Sequence, residues 1–89
     1  MKIKQGFKLR HLGGEYIVIG EGIAQVNFNK MISLNATAAF LWEQLLGKEF
    51  SVEDITRLLC DNYEVEEAVA AADAATLVKN WREAELLDE

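Results

Sequence analysis

Short apolar runs punctuated by glycine and asparagine occupy the chain up to Leu34, and apolar residues recur at helical spacing after it. Phe7-Lys8-Leu9-Arg10-His11-Leu12 and Glu15-Tyr16-Ile17-Val18-Ile19 flank Gly13-Gly14. A two-residue Gly-Gly loop predicts a tight hairpin, because glycine accepts the positive φ such turns require. That loop pairs Leu12 with Glu15 and His11 with Tyr16. Phe7, Leu9, His11, Tyr16 and Val18 then share one face, the expected core side, and Lys8, Arg10, Ile17 and Ile19 take the mixed face opposite. Gly20-Glu21-Gly22 ends the second strand. Val26 and Phe28 alternate with Asn27 and Asn29, and Asn29-Lys30 is a turn or a bend. Met31-Ile32-Ser33-Leu34 follows as a third strand, best defined over 30–34 and open along one edge.

Beyond that strand the spacing predicts three helices. Asn35 is a good N-cap. Ala38, Leu41, Trp42, Leu45 and Leu46 recur at i, i+3, i+4, i+7 and i+8, one helical face, and Gly47 closes the helix. Ser51-Val52-Glu53-Asp54 is a capping box with Asp in place of Glu. It opens a second helix that turns Val52, Ile55, Leu58 and Leu59 inward and breaks at Tyr63-Glu64. A third helix starts near Val65 or Glu66 and carries an apolar stripe of Ala70, Ala74, Leu77, Val78 and Trp81. Six alanines between 68 and 75 favour helix and leave a shallow surface that another backbone can approach. The chain has no proline, so nothing kinks these helices. Three antiparallel strands followed by three helices make an α+β pattern with segregated elements, in one domain spanning 1–89.

Composition narrows the function classes. At 89 residues and 51% hydrophobic, the chain can fold but cannot easily enclose both a core and a deep catalytic cavity. No stretch approaches the ~20 apolar residues of a membrane span. Met1-Lys2-Ile3-Lys4-Gln5-Gly6 lacks the features of a signal peptide. With Cys60 the only cysteine, a cytoplasmic location is expected. The net charge of −6 is uneven: residues 1–34 carry +3 and residues 35–89 carry −9. Either the chain has two differently solvated faces, or its N-terminal part meets an acidic partner while the rest repels nucleic acid.

The residues suggest no reaction. His11 is the sole histidine and falls on the core face of a strand, where a structural role fits best. Cys60 stands beside Asp61, which opposes thiolate formation. No ligand cluster has metal-site spacing, and Gly20-Glu21-Gly22 matches no phosphate loop. Helices after a small sheet suggest a winged helix-turn-helix, a fold able to place a helix in the DNA major groove. Here, however, the third helix sets Glu66, Glu67, Asp73, Glu83 and Glu85 against Lys79 and Arg82, a repulsive balance for phosphate. A binding domain without catalysis, cofactor or metal is expected, with no nucleic-acid or membrane partner.

Two features suit binding. The open edge near Met31–Leu34 is a template for an added strand, or for pairing with a second copy of the chain. If the Ile32 N–H faces outward, proline there would remove an edge donor. Phe40 points away from the apolar stripe of its helix, toward the Val26–Phe28 segment or toward a partner protein.

Gly14-Glu15-Tyr16-Ile17-Val18-Ile19, Met31-Ile32-Ser33-Leu34-Asn35, Ala38-Ala39-Phe40-Leu41-Trp42-Glu43, Phe50-Ser51-Val52-Glu53-Asp54-Ile55 and Asp73, taken in order, resemble the PqqD family. The resemblance covers roughly residues 7 to 87. It implies a winged-helix-like fold that recognises the leader of a ribosomally made precursor peptide. The leader is bound as an added strand between the third strand and the third helix. The domain then presents it to a modifying enzyme, often a radical SAM enzyme. Carried over by position, the peptide-binding residues are Met31, Ile32, Ser33, Leu34, Ala70, Asp73, Ala74, Leu77 and Trp81. The chain differs from founding members by extra residues, about Ile23 to Asn29, so pyrroloquinoline quinone is not assigned as the product. Two other readings stand beside this one: a winged-helix DNA-binding regulator, and an accessory domain that docks to an enzyme without binding peptide.

Overall fold

The computed structural model of the chain describes residues 1–20 and 31–88, which gather into two compact units. The unit of residues 4–44 holds β2 (Phe7–Leu12), β3 (Glu15–Gly20), β4 (Met31–Leu34) and most of α1 (Ala36–Leu45); β1 (Lys2–Ile3) belongs to the other unit. β2, β3 and β4 form an antiparallel sheet in that order. The Gly-Gly hairpin forms in the expected register, with Leu12 opposite Glu15 and His11 opposite Tyr16. Gly13 and Gly14 have φ of 56° and 85°, the two positive values of a type I′ loop. A Cβ on Gly14 would meet nothing within 4 Å, so only backbone strain opposes a side chain there. Gly14→Ala is therefore expected to lose about 1–2 kcal/mol in urea unfolding; an unchanged midpoint would contradict the turn geometry.

The core face of the sheet is only partly buried. Phe7 and Val18 are buried and Leu9 and Tyr16 half-buried, whereas His11 is exposed. His11 is thus no core histidine; it stacks on Tyr16 with ring centroids 4.6 Å apart and planes 8° from parallel. The whole hairpin end, from His11 to Glu15, is exposed. Asn35 caps α1 as expected: its Oδ1 accepts from Ala38 N–H at 2.7 Å. Ala38, Ala39, Leu41, Trp42 and Leu45 are buried, but Leu46 lies past the end of the helix and is 49% exposed. Phe40 is half-buried; the Val26–Phe28 segment to which it was matched lies outside the described residues, as do Glu21-Gly22 and the Asn29-Lys30 turn.

The other unit, residues 1–3 and 45–89, holds α2 (Val52–Asn62) packed on α3 (Glu67–Glu83). The Ser51–Asp54 capping box forms in both directions: Ser51 Oγ accepts from Asp54 N–H at 3.2 Å, and Asp54 Oδ2 from Ser51 N–H at 2.9 Å. Ile55 and Leu59 from α2, and Ala70, Ala74, Val78 and Trp81 from α3, are buried. α3 ends without glycine. Glu85 takes a φ of 62°, Leu86 N–H bonds Trp81 O at 2.9 Å, and Glu85 N–H bonds Arg82 O at 3.0 Å. This is a Schellman ending with buried Leu86 and Trp81 at its two hydrophobic positions.

The structure adds a second, two-stranded sheet. β1 pairs antiparallel with β5 (Leu87–Asp88), and the Met1 carbonyl accepts from Phe50 N–H at 2.9 Å. Strands of two residues carry no periodicity to detect.

Candidate functional site

β4 is a terminal strand of its sheet and pairs with no second strand among the described residues. Its register sets Leu34 opposite Tyr16, Ser33 opposite Ile17, Ile32 opposite Val18 and Met31 opposite Ile19. Ile32 and Leu34 therefore share the face of Val18 and are half-buried, while Met31, 59% exposed, and exposed Ser33 share the opposite face with Ile17 and Ile19.

The same register decides which main-chain groups face outward. In a two-residue hairpin the residues flanking the loop exchange both hydrogen bonds, and bonded and non-bonded pairs alternate along an antiparallel ladder. Leu12–Glu15, Arg10–Ile17 and Lys8–Ile19 are then the bonded pairs between β2 and β3. His11–Tyr16 becomes a non-bonded pair, whose closer side chains fit the observed ring stack. Tyr16 and Val18 consequently turn their N–H and C=O groups toward β4, where they meet Leu34 and Ile32. The groups left facing the open edge are those of Met31 and Ser33. Ile32 is not an edge donor, because its N–H belongs to the internal ladder. The loop length carries half of this result in the sequence; the β3–β4 register, across residues 21–30, has no sequence signal.

The α3 positions belong to the other unit. Asp73 is exposed and Leu77 half-buried. Ala70 and Ala74 are each 0% exposed and Trp81 2%, so these three are core residues. The alanine run that reads as a shallow open surface is thus split by the helix: Ala68, Ala72 and Ala75 face solvent, and Ala70 and Ala74 face inward.

Groups with chemical potential stay scattered. Cys60 is exposed on α2. Among the described residues no three His, Cys, Asp or Glu side chains cluster as a metal site, and no helix is long and apolar enough to cross a membrane. What the site offers is two outward pairs of main-chain groups on an uncharged strand, a surface suited to binding extended peptide.

No curated protein matches the chain by sequence. Among solved structures it is similar to TbiB1 in complex with the TbiA(beta) leader peptide. Identity there is 20% and the TM-score 0.76, over 99% of this chain and 95% of that one. It is also similar to lasso peptide synthetase B1 complexed with the leader peptide, with 24% identity and a TM-score of 0.69, over 92% of this chain and 89% of that one. At these identities the likeness is one of fold. The profile of the family described as coenzyme PQQ synthesis protein D (PqqD) matches residues 12–87, from the end of β2 into β5. The chain belongs to the PqqD family.

Proposed function

We propose that this chain is a recognition element for the leader of a ribosomally made precursor peptide. The leader adds as a strand to the open edge of β4, and the domain presents it to a modifying enzyme, with a radical SAM enzyme as the first candidate. The observation that carries this reading is the β4 edge: four uncharged residues, with the main-chain groups of Met31 and Ser33 facing outward. Membership of the PqqD family and the leader-bound state of both structural neighbours support it. In this reading the domain supplies no catalysis and no cofactor. Of the α3 positions that the family resemblance assigns to the peptide, Asp73 and Leu77 reach solvent, whereas Ala70, Ala74 and Trp81 are buried. DNA is disfavoured as the ligand, because α3 exposes Glu67, Asp73 and Glu83 against Lys79 and Arg82. The same reading places the domain in the cytoplasm, with which the exposed Cys60 thiol is compatible.

The test is a titration of isotope-labelled protein with synthetic peptides from the N-terminal half of each short reading frame beside the gene. One peptide is expected to shift the amides of Met31 and Ser33 most strongly and to slow their hydrogen exchange, as new hydrogen bonds do. Binding that leaves 31–34 unperturbed would move the site elsewhere. No binding by any such peptide, together with salt-sensitive binding to DNA, would favour a regulator instead.

A further inference from the structure

The two edges of the sheet differ in how they are guarded. Proteins keep exposed edges from pairing with other chains by placing charge, proline or a bulge on them. β2 follows that rule: the outward groups of Phe7, Leu9 and His11 alternate with Lys8 and Arg10. β4 does not. Met31-Ile32-Ser33-Leu34 holds no charge and no proline, and its pairing with β3 is continuous from 31 to 34.

The β4 edge is also self-complementary. Two copies set antiparallel about a two-fold axis at Ile32 place Met31 of each opposite Ser33 of the other. These are the two residues whose N–H and C=O groups face outward, so both pairs exchange both hydrogen bonds. Ile32 then faces its own counterpart as a non-bonded pair, with the two half-buried side chains in contact. No like charges are brought together anywhere along the strand.

We propose that the empty domain closes its binding edge with a second copy of itself, β4 to β4, centred on Ile32, and that a leader peptide must displace this partner. The displacement rests on the leader reading above; the self-pairing does not. A strand of four residues gives only a weak dimer, which suits a protective partner that a longer peptide replaces. The dimer also hides the edge from other chains until a leader arrives.

Disulfide trapping tests both the contact and its register. In a Cys60→Ser background, chosen because Cys60 is exposed, Ile32→Cys places two thiols on a non-bonded antiparallel pair. The Cα atoms there are about 4.5 Å apart, within the range of roughly 4.4–6.8 Å that a disulfide accepts. Met31→Cys is the control: its counterpart lies two residues along the strand at ~3.4 Å each, beyond disulfide reach. Mild oxidation is expected to cross-link Ile32→Cys and not Met31→Cys. A peptide identified by the titration, added at about 100 times its Kd, leaves about one edge in a hundred empty; because both copies must be empty to pair, cross-linking of a weak dimer should slow by about four orders of magnitude. Sedimentation of the unmodified chain should show its mass rising with concentration from 10.0 kDa toward twice that value. Equal cross-linking at both positions, or a monomer at every concentration, overturns the proposal. Cross-linking that a bound leader leaves unchanged overturns the competition. A dimer with the stated register and no peptide that binds would retain the self-pairing and reject the leader reading.

Discussion

Trp81→Ala is expected to cost about 3–5 kcal/mol of stability, the range for truncating a buried aromatic residue. Trp81 is 2% exposed and lies on the α3 face that also buries Ala70, Ala74 and Val78. It is also the residue whose carbonyl receives Leu86 N–H at the end of the helix. Losing the indole therefore leaves a cavity beside the segment that turns the chain from α3 into β5. A domain of this size has a total stability of about 4–13 kcal/mol, so the loss is about a quarter of it or more. Urea unfolding should show a lower midpoint at unchanged slope. Val69→Ala, on the exposed side of the same helix, should stay within about 0.5 kcal/mol of the parent. Similar losses for the two variants would contradict the burial pattern of α3.

The second large effect separates proline at two adjacent positions of β4. Ser33→Pro removes an outward N–H and puts the ring where an added strand must approach. It is expected to weaken leader binding by about 1–3 kcal/mol, roughly five- to 150-fold in Kd, and to change stability little. Ile32→Pro instead removes an N–H that bonds Val18 within the sheet. It is expected to lower the unfolding midpoint markedly, by about 3 kcal/mol or more, with any effect on binding following from the lost fold. Calorimetric titration and urea unfolding of both variants decide the matter. If Ile32→Pro stays folded and loses binding while Ser33→Pro binds normally, the edge parity is inverted.

These variants bear on how much was legible beforehand. The Gly-Gly hairpin, its pairing, the Asn35 and Ser51 caps and the buried positions of α2 and α3 are local facts. Each depends on residues within a few positions of one another, and such spacing is present in the sequence. Alternation assigns His11 a face but not a depth, and the hairpin end from His11 to Glu15 is exposed. Leu46 failed for a related reason, since the helical period continues one residue beyond the helix that gives it meaning. β1, β5 and the Glu85 turn left no signal, because two-residue strands have no period and a non-glycine residue at positive φ does not announce itself.

For the binding edge the division is sharper. The sequence by itself determined that Met31–Leu34 is a strand, that it is uncharged, and that the chain resembles a peptide-recognition family; composition and local period suffice for these. Only the tertiary structure decided which of its main-chain groups face away from β3. That choice depends on the register between β3 and β4, two segments joined through residues 21–30, and a shift of one residue would exchange the bonded and open positions. Register is set by side chains packing across the sheet, Val18 beside Ile32 and Tyr16 beside Leu34, and no run of neighbouring residues encodes it.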